Sequence, residues 1–89
     1  MTYHVEYAKE AVRALKKMDR PTAALIVGYI RKHLEGCDDP RARGKALSAN
    51  RAGQWRYRVG DYRILAKIED ERVLILILSI GHRRDVYEN

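Results

Sequence analysis

Residues 55–68 have the sequence WRYRVGDYRILAKI, and this stretch decides the fold of the 89-residue chain. Apolar and polar side chains alternate on both sides of Gly60 and Asp61, which is the period of strands with one buried face. A glycine in the first position of a two-residue turn suits a tight hairpin. The stretch therefore predicts two antiparallel strands joined at Gly60-Asp61, with Arg58 directly opposite Arg63.

The predicted register gives the hairpin two unlike faces. One face carries Arg56, Arg58 and Arg63. Like charges directly opposite each other on paired strands are destabilising by up to about 1 kcal/mol, so we expect the Arg58–Arg63 pairing to have no structural benefit and to bind an anion. The other face suits packing against helices and is formed by Trp55, Tyr57, Val59, Tyr62, Ile64 and Ala66.

The chain before the hairpin predicts one strand and two helices. Residues 2–7 alternate like a half-buried strand, and residues 8–18 change to the i, i+3, i+4, i+7 spacing of an amphipathic helix. A second apolar helical stripe follows and ends at Gly36. Residues 36–53 show no sustained period, so they predict a loop that contains one short turn or strand near 45–47.

An aliphatic run completes the predicted sheet. Residues 72–80 are apolar on both faces of a strand, so this strand should lie inside the sheet and not at an edge. The whole pattern predicts an α+β fold with element order β-α-α-β-β-β, in which a two-helix hairpin packs on one face of an antiparallel sheet. A chain of this length builds one small core, so residues 1–89 are expected to form a single domain.

The same run leaves apolar side chains on the arginine face. Leu74, Leu76 and Leu78, or their alternate neighbours, share that face, and two short helices cannot cover both sides of the sheet. We expect a protein partner to cover them with an acidic, amphipathic segment that pairs with the arginines. The alternative is that the C-terminal segment of the chain folds back over them.

Composition narrows the class of protein. Hydrophobic residues make up 46% and charged residues 34%, which is too apolar for a disordered chain and too interrupted by charge for a membrane span. Residues 41–63 contain seven basic residues and one acidic residue. This excess predicts an anionic partner, most simply nucleic acid, with a solvated basic face as the alternative. The single cysteine, Cys37, provides neither a disulfide nor a zinc cage, and no signal peptide is recognisable, so a cytoplasmic protein is expected.

A cluster of reactive side chains follows the aliphatic run: His82, Arg83, Arg84 and Tyr87. RNA cleavage without a metal needs a base for the 2′-OH proton, cations for the crowded phosphate and an acid for the leaving 5′-oxygen. Arginines suit only the middle role because their pKa lies above about 12. Proton transfer is therefore left to His82 or Tyr87. The alternative is that His82 is an ordinary surface histidine and Tyr87 a packing tyrosine. The sequence has no phosphate-binding glycine loop or spaced metal-ligand set, so neither a metal nor another cofactor is expected.

Three short motifs follow one another along the chain: Lys45-x-Leu47, Trp55-Arg56-x-Arg58-x-Gly60-Asp61-Tyr62-Arg63 and Ser79-x-Gly81-His82-Arg83-Arg84-x-x-Tyr87. In this order and spacing they resemble RelE-type toxins of the RelE/ParE superfamily, which are the toxins of type II toxin–antitoxin systems. The resemblance implies an mRNA interferase, a metal-independent endoribonuclease that cleaves mRNA on the ribosome and inhibits translation. It also implies a RelB-like antitoxin that binds the toxin in a hetero-oligomer.

The resemblance assigns roles to single residues. Arg63 and Arg83 are expected to bind the scissile phosphate and to stabilise its added charge. Tyr87 is expected to orient or activate the 2′-OH, and His82 is the other candidate for proton transfer. The residues expected to bind RNA or its phosphates are Lys45, Arg56, Arg58 and Arg84.

Arg56 and Arg58 depart from the RelE pattern, because the best-known RelE enzymes have lysines there and one of them is proposed as general base. An arginine holds a phosphate but is a poor base. Either His82 or Tyr87 therefore transfers the proton, or catalysis is weaker. The departure leaves the ParE branch open as the alternative, since those toxins share the fold, inhibit DNA gyrase by binding and need no nuclease residues.

Overall fold

The computed structural model describes residues 1–47 and 53–84. The strands form one five-stranded sheet, and two helices pack on one of its faces. This confirms the predicted α+β class, and it adds a short strand in the stretch where a turn or strand is expected. In chain order the elements are β1 (His4–Tyr7), α1 (Lys9–Lys17), α2 (Arg20–Tyr29), β2 (Lys45–Ala46), β3 (Gln54–Val59), β4 (Tyr62–Glu69) and β5 (Leu74–His82).

The hairpin of β3 and β4 has the predicted register. Arg58 lies opposite Arg63, and Tyr57 lies opposite Ile64. Gly60 has a φ of +58°, a left-handed conformation that glycine adopts without steric cost in a tight hairpin turn. Tyr57 and Ile64 are fully buried, which confirms that their face of the hairpin meets the helices.

One strand pair corrects the predicted antiparallel sheet. The strands lie in the order β1-β5-β4-β3-β2, and β1 runs parallel to β5, with Val5 opposite Ile75 and Tyr7 opposite Ile77. The sheet is therefore mixed. Apolar alternation shows which side chains are buried but carries no information on strand direction. The interior position of β5 is confirmed, since it lies between β1 and β4 and its Ile75 and Ile77 are fully buried.

The second helix begins and ends at residues that suit those positions. The Asp19 carboxylate accepts a hydrogen bond of 3.2 Å from the Thr22 backbone N–H and so caps the start of α2. The helix continues as one wider π-helical turn at Ile30–Leu34, and the chain turns away at Gly36, where φ is +78°. Within residues 1–47 and 53–84 no helix has the length and apolarity to cross a membrane. The core between helices and sheet consists of Ala11, Ile26, Ile30, Leu34, Tyr57, Val59, Ile64, Ala66, Ile75, Ile77 and Ile80.

The outer face of the sheet, which is the side away from the helices, exposes less apolar surface than predicted. Leu74 is only 4% exposed, and Leu76 and Leu78 are half-buried. Leu74 lies between His4 of β1 and Glu69 of β4, and cross-strand neighbours of this size shield an aliphatic side chain. The expected uncovered patch is therefore corrected to a narrow, half-buried strip.

Candidate nucleic-acid interface

Four cationic side chains line a cleft of about 450 Å³ beside β2 and β3. Strand pairing brings them together, because Lys45 of β2 lies opposite Arg56 of β3, and Arg58 of β3 lies opposite Arg63 of β4. All four are among the residues that the sequence predicts to bind RNA or phosphate. The described residues that line it are Tyr29, Gly44, Lys45, Arg56, Arg58 and Arg63.

The loop before β2 is held closely against β3, and this contact positions Lys45. Trp55 Nε1 donates a hydrogen bond of 2.6 Å to the Arg43 carbonyl oxygen. Gly44 has a φ of +81°, and a Cβ atom there would overlap the Arg56 carbonyl oxygen and lie 2.7 Å from Trp55 Nε1. Only glycine fits both this conformation and this approach. The glycine thus fixes the point at which Lys45 enters the cleft.

Arg63 is the buried cation of the cleft, with 7% of its surface exposed. Its guanidinium donates hydrogen bonds to the carbonyl oxygens of Gly60 at 3.1 Å and Tyr62 at 3.2 Å. These bonds tie the side chain to the hairpin turn. Arg63 therefore has a structural role of its own at the turn, which the sequence does not indicate. A guanidinium fixed in this way keeps its orientation before an anion arrives.

Lys45 and Arg58 are the exposed cations of the cleft. Within the part of the chain that the structure describes, neither side chain forms an ion pair. An anion that enters the cleft therefore meets two positive charges that no described carboxylate neutralises. Clustered charge of one sign in a concave surface raises the local concentration of the opposite ion.

Tyr29, in the last turn of α2, forms a wall of the cleft that the sequence does not indicate. Its ring contacts the His33 ring, with the centroids 4.9 Å apart. Burial raises the pKa of the Tyr29 hydroxyl, and the positive charge of Arg43 opposes that change. Burial also lowers the pKa of His33, and Arg43 and Lys32 lower it further. Both pKa changes favour the uncharged form of each ring.

His82 lies on the face of the sheet that carries the helices. It is opposite Tyr62 in the pairing of β4 with β5, and the two rings meet edge to face with centroids 5.4 Å apart. The Nδ1 atom of His82 accepts a hydrogen bond of 3.2 Å from the backbone N–H of Arg84, whose side chain is exposed. His82 is not among the described residues that line the cleft.

Arg83 lies beside the hairpin turn. Its backbone N–H donates a hydrogen bond of 2.7 Å to the Asp61 carbonyl oxygen, and the Arg63 guanidinium binds carbonyl oxygens at the same turn. The backbone of Arg83 and the side chain of Arg63, the two arginines expected to bind the scissile phosphate, are therefore held at the same turn. Tyr87, the other residue predicted to act on the reacting atoms, lies outside the described residues.

The cleft can supply charge stabilisation more readily than proton transfer. Its cations can hold a phosphodiester and stabilise negative charge that develops on it. Among the described residues that line it there is neither a carboxylate nor an imidazole. Across residues 1–47 and 53–84, no three His, Cys, Asp or Glu side chains converge into a metal-binding cluster.

Residues 5–87 match a family described as the ParE toxin of the type II toxin–antitoxin system parDE. The chain is also similar to Toxin RelG of Mycobacterium tuberculosis. The two are 34% identical over 87 residues, which cover 98% of this chain and 98% of RelG.

Two solved complexes contain chains of the same fold. The RelBE2 toxin–antitoxin complex of Mycobacterium tuberculosis contains a chain with 33% identity and a TM-score of 0.83, over 96% of this chain and 95% of that one. The RelE–RelB complex of Pyrococcus horikoshii contains a chain with 26% identity and a TM-score of 0.72, over 97% of this chain and 100% of that one.

Proposed function

This chain belongs to the RelE/ParE superfamily of toxins from type II toxin–antitoxin systems, and on that premise we propose that it is a ribosome-dependent endonuclease that cleaves mRNA in the cytoplasm. Cleavage of mRNA inhibits translation. The observation that carries the proposal is the cleft in which Lys45, Arg56, Arg58 and Arg63 meet. Such a cleft fits the phosphates of a nucleic-acid strand.

Arg58, Arg63 and Arg83 form the proposed phosphate clamp. Arg63 is fixed by carbonyl oxygens at the hairpin turn, Arg58 lies opposite it, and the backbone of Arg83 is bound at the same turn. Guanidinium groups present several N–H donors to phosphate oxygens. The clamp stabilises the negative charge that grows on the phosphate when the 2′-oxygen attacks phosphorus, and an interaction that strengthens in the transition state accelerates the reaction.

Proton transfer is assigned to Tyr87 in this proposal. A base removes the 2′-OH proton, an acid protonates the leaving 5′-oxygen, and a 2′,3′-cyclic phosphate remains, without a metal. The position of His82 on the helix-bearing face, with Nδ1 accepting the Arg84 N–H, supports Tyr87 over His82. The assignment of Tyr87 itself rests on the family resemblance.

A map of cellular mRNA after brief expression of the toxin tests the nuclease. Primer extension should show new 5′ ends inside reading frames for the wild type and should lose them for Arg83→Ala. Arg13→Ala is the matched control, because Arg13 is also an exposed arginine but lies on α1. Thermal unfolding of the purified variants checks that both fold. If Arg83→Ala arrested growth as strongly as the wild type at equal expression, the clamp assignment would be wrong.

A ParE-like toxin that inhibits DNA gyrase by binding is the second candidate. Two observations favour it: the matching family model is that of ParE toxins, and the part of the cleft lining that the structure describes holds no carboxylate or imidazole. Binding needs the basic face but no proton transfer. The double variant His82→Ala, Tyr87→Phe separates the two functions. Retained toxicity and stalled supercoiling by purified gyrase support the ParE-like function, whereas lost toxicity with preserved folding supports the nuclease.

We also propose that a RelB-like antitoxin neutralises the toxin in a hetero-oligomer. An acidic, amphipathic segment could pair its carboxylates with Arg56, Arg58 or Arg63 and place its apolar side chains in the groove of about 400 Å³ between α1, α2 and β1. Charge pairs at the rim weaken with salt and desolvated pairs persist, so affinity should fall only partly with ionic strength. The groove is lined by Val5, Tyr7, Val12, Leu15, Val27, Ile30, Arg31 and Glu35.

Hydrogen exchange tests this partner. In the complex, residues 54–80 should gain protection relative to the isolated toxin, because the antitoxin covers the basic strands without unfolding them. Unchanged exchange in this range would contradict the proposed interface.

A further inference from the structure

Tyr29 is the one described residue that lines both the basic cleft and a second hollow next to it. The second hollow has a volume of about 420 Å³ and a mostly apolar surface, and Lys32 and His33 are also among the residues that line it. That lining includes Leu25, which is 60% exposed, and Val59 at the end of β3. The tyrosine therefore stands between a group of cations and an apolar surface.

This arrangement matches the two chemical halves of a nucleotide. The phosphate is an anion that lysine and arginine attract, and the base has flat faces that stack on aromatic side chains. The cleft supplies Lys45 and Arg58, which are exposed and form no ion pair within the described residues. Its volume of about 450 Å³ lies within the range of about 300–1,000 Å³ that is usual for ligand pockets.

The Tyr29 ring is held in place without a ligand. It packs against the hydrophobic core and contacts the His33 ring at an angle of 57° between the two planes. An aromatic ring that is already ordered loses little conformational entropy when a base stacks on it. The uncharged hydroxyl can also donate a hydrogen bond to a base or a sugar.

We propose that Tyr29 is a base-stacking residue for single-stranded RNA and that Lys45 holds the adjacent phosphate, while Arg58 remains part of the clamp on the reacting phosphate. The inference rests on the proposed function, because it takes RNA as the ligand. It adds a nucleotide subsite on the β2 side of the cleft, whereas the reacting phosphate lies at the turn that anchors Arg63 and Arg83. Tyr29 binds the strand there and takes no part in proton transfer.

The single tryptophan of the chain provides a binding signal. Trp55 binds the carbonyl oxygen of Arg43 and lies against Gly44, which lines the cleft, so its fluorescence should change when the cleft is filled. Two probes separate the base from the phosphate. One is a 2′-O-methyl RNA hexanucleotide, which lacks the attacking hydroxyl and is not cleaved, and the other is inorganic tripolyphosphate, which has no base.

Tyr29→Leu should weaken binding of the hexanucleotide about tenfold, since each stacked base contributes on this order, and should leave the affinity for tripolyphosphate unchanged. Tyr29→Phe keeps the aromatic ring and should bind both probes as the wild type does. Tyr7→Leu is the matched control, because Tyr7 is another half-buried tyrosine that packs against the core but lines the groove beside β1. It should change the affinity for neither probe.

Equal weakening of both probes by Tyr29→Leu, or no change in either, would overturn the inference. A hexanucleotide with an abasic backbone gives a result that does not depend on the folding of any variant. It should bind the wild type about tenfold more weakly than the base-bearing hexanucleotide, and equal affinities would also overturn the inference. None of these probes is cleaved, so the binding result does not depend on nuclease activity. If primer extension finds no cleavage, the subsite can still be confirmed by binding. If mRNA is cleaved but Tyr29→Leu does not change binding of the hexanucleotide, only the subsite is wrong.

Discussion

The two ends of β4 place arginine in opposite environments. After its C-terminal end, Arg41 donates two hydrogen bonds of 3.0 Å to the Asp70 carboxylate, which also accepts a hydrogen bond of 2.7 Å from the Tyr3 hydroxyl. Near its N-terminal end, Arg63 binds carbonyl oxygens at the turn and lies opposite a second arginine, Arg58. Positive charge is neutralised at the first end and concentrated at the second.

The difference shows which end serves the fold and which end can serve a ligand. The hydrogen bond from Arg41 lowers the pKa of Asp70 most, and the hydrogen bond from Tyr3 lowers it further. The Asp70 cluster, which consists of Tyr3, Arg41 and Asp70, therefore keeps its ion pair across the neutral pH range. Within residues 1–47 and 53–84, the basic cleft has no carboxylate in its lining. Substitutions in the Asp70 cluster should therefore change stability, and substitutions of the cationic side chains in the cleft should change activity.

The largest expected effect is that of Arg63→Ala on cleavage. Loss of a fixed donor to the transition state should cost about 2–4 kcal/mol, or between about thirtyfold and a thousandfold in the rate. Arg41→Ala is the control at the other end of β4 and should keep the rate of the folded protein. Single-turnover cleavage of mRNA on ribosomes measures both variants. An equal loss of rate in the two variants would mean that the two ends of β4 do not differ in their contribution to cleavage.

Gly44→Ala should destabilise the fold and weaken RNA binding together. A side chain at a positive φ costs about 1–3 kcal/mol, and the added Cβ also overlaps the Arg56 carbonyl oxygen, so the loop that carries Lys45 must move. Gly28→Ala is the control, because nothing lies within 4 Å of a Cβ built there and alanine is favoured over glycine inside a helix. Urea unfolding and hexanucleotide binding measure the two variants. Equal stability of both would mean that the loop is not held against β3.

The sequence predicts the hairpin well because its signals are local. Alternation and a turn with glycine in first position determine that Arg58 faces Arg63, and the structure has this register. The direction of β1 beside β5 has no local signal, since residues far apart in the chain form that pair. The sequence also does not indicate that His82 faces the helices, for a different reason. β5 is apolar on both faces, and the register shifts by a residue at Leu65 and Ala66, so counting along the strand does not assign a face.

The cleft was predictable only in part. Its arginines follow from strand alternation, which places Arg56 and Arg58 on one face. Tyr29 does not, because it lies outside the apolar stripe of its helix and meets the cations only when α2 packs beside β3. The buried state of Arg63 is likewise not indicated by strand alternation, nor are the bonds of its guanidinium to the carbonyl oxygens of Gly60 and Tyr62.

A smaller effect is expected for His82→Ala. Because His82 lies on the helix-bearing face beside Tyr62, its loss should reduce cleavage less than about tenfold, below the usual contribution of a general acid or base. Tyr87→Phe, which removes the hydroxyl assigned to proton transfer, should reduce cleavage much more. Single-turnover rates compare the two variants with Arg63→Ala. A loss for His82→Ala as large as that for Arg63→Ala would place His82 at the reacting atoms.

The smallest expected effect is that of Asp70→Asn, and it should depend on pH. The carboxyl pKa is lowered in the folded protein and lies near 3.9 in an unfolded chain. The carboxylate therefore contributes stability above about pH 4, and this contribution is lost as the pH falls through the lowered pKa. The Tm of Asp70→Asn should lie below that of the wild type at pH 7, and the difference should shrink towards pH 3.

Asp38→Asn is the control for this pH dependence, because Asp38 is an exposed aspartate that forms no ion pair within the described residues. Its Tm should follow that of the wild type at both pH values. Cleavage of mRNA at neutral pH should be unchanged by Asp70→Asn, since the Asp70 cluster lies at the end of β4 away from the cleft. A Tm difference for Asp70→Asn that stayed constant from pH 7 to pH 3 would mean that the ion pair adds no stability, and the two ends of β4 would then differ only in what they can bind.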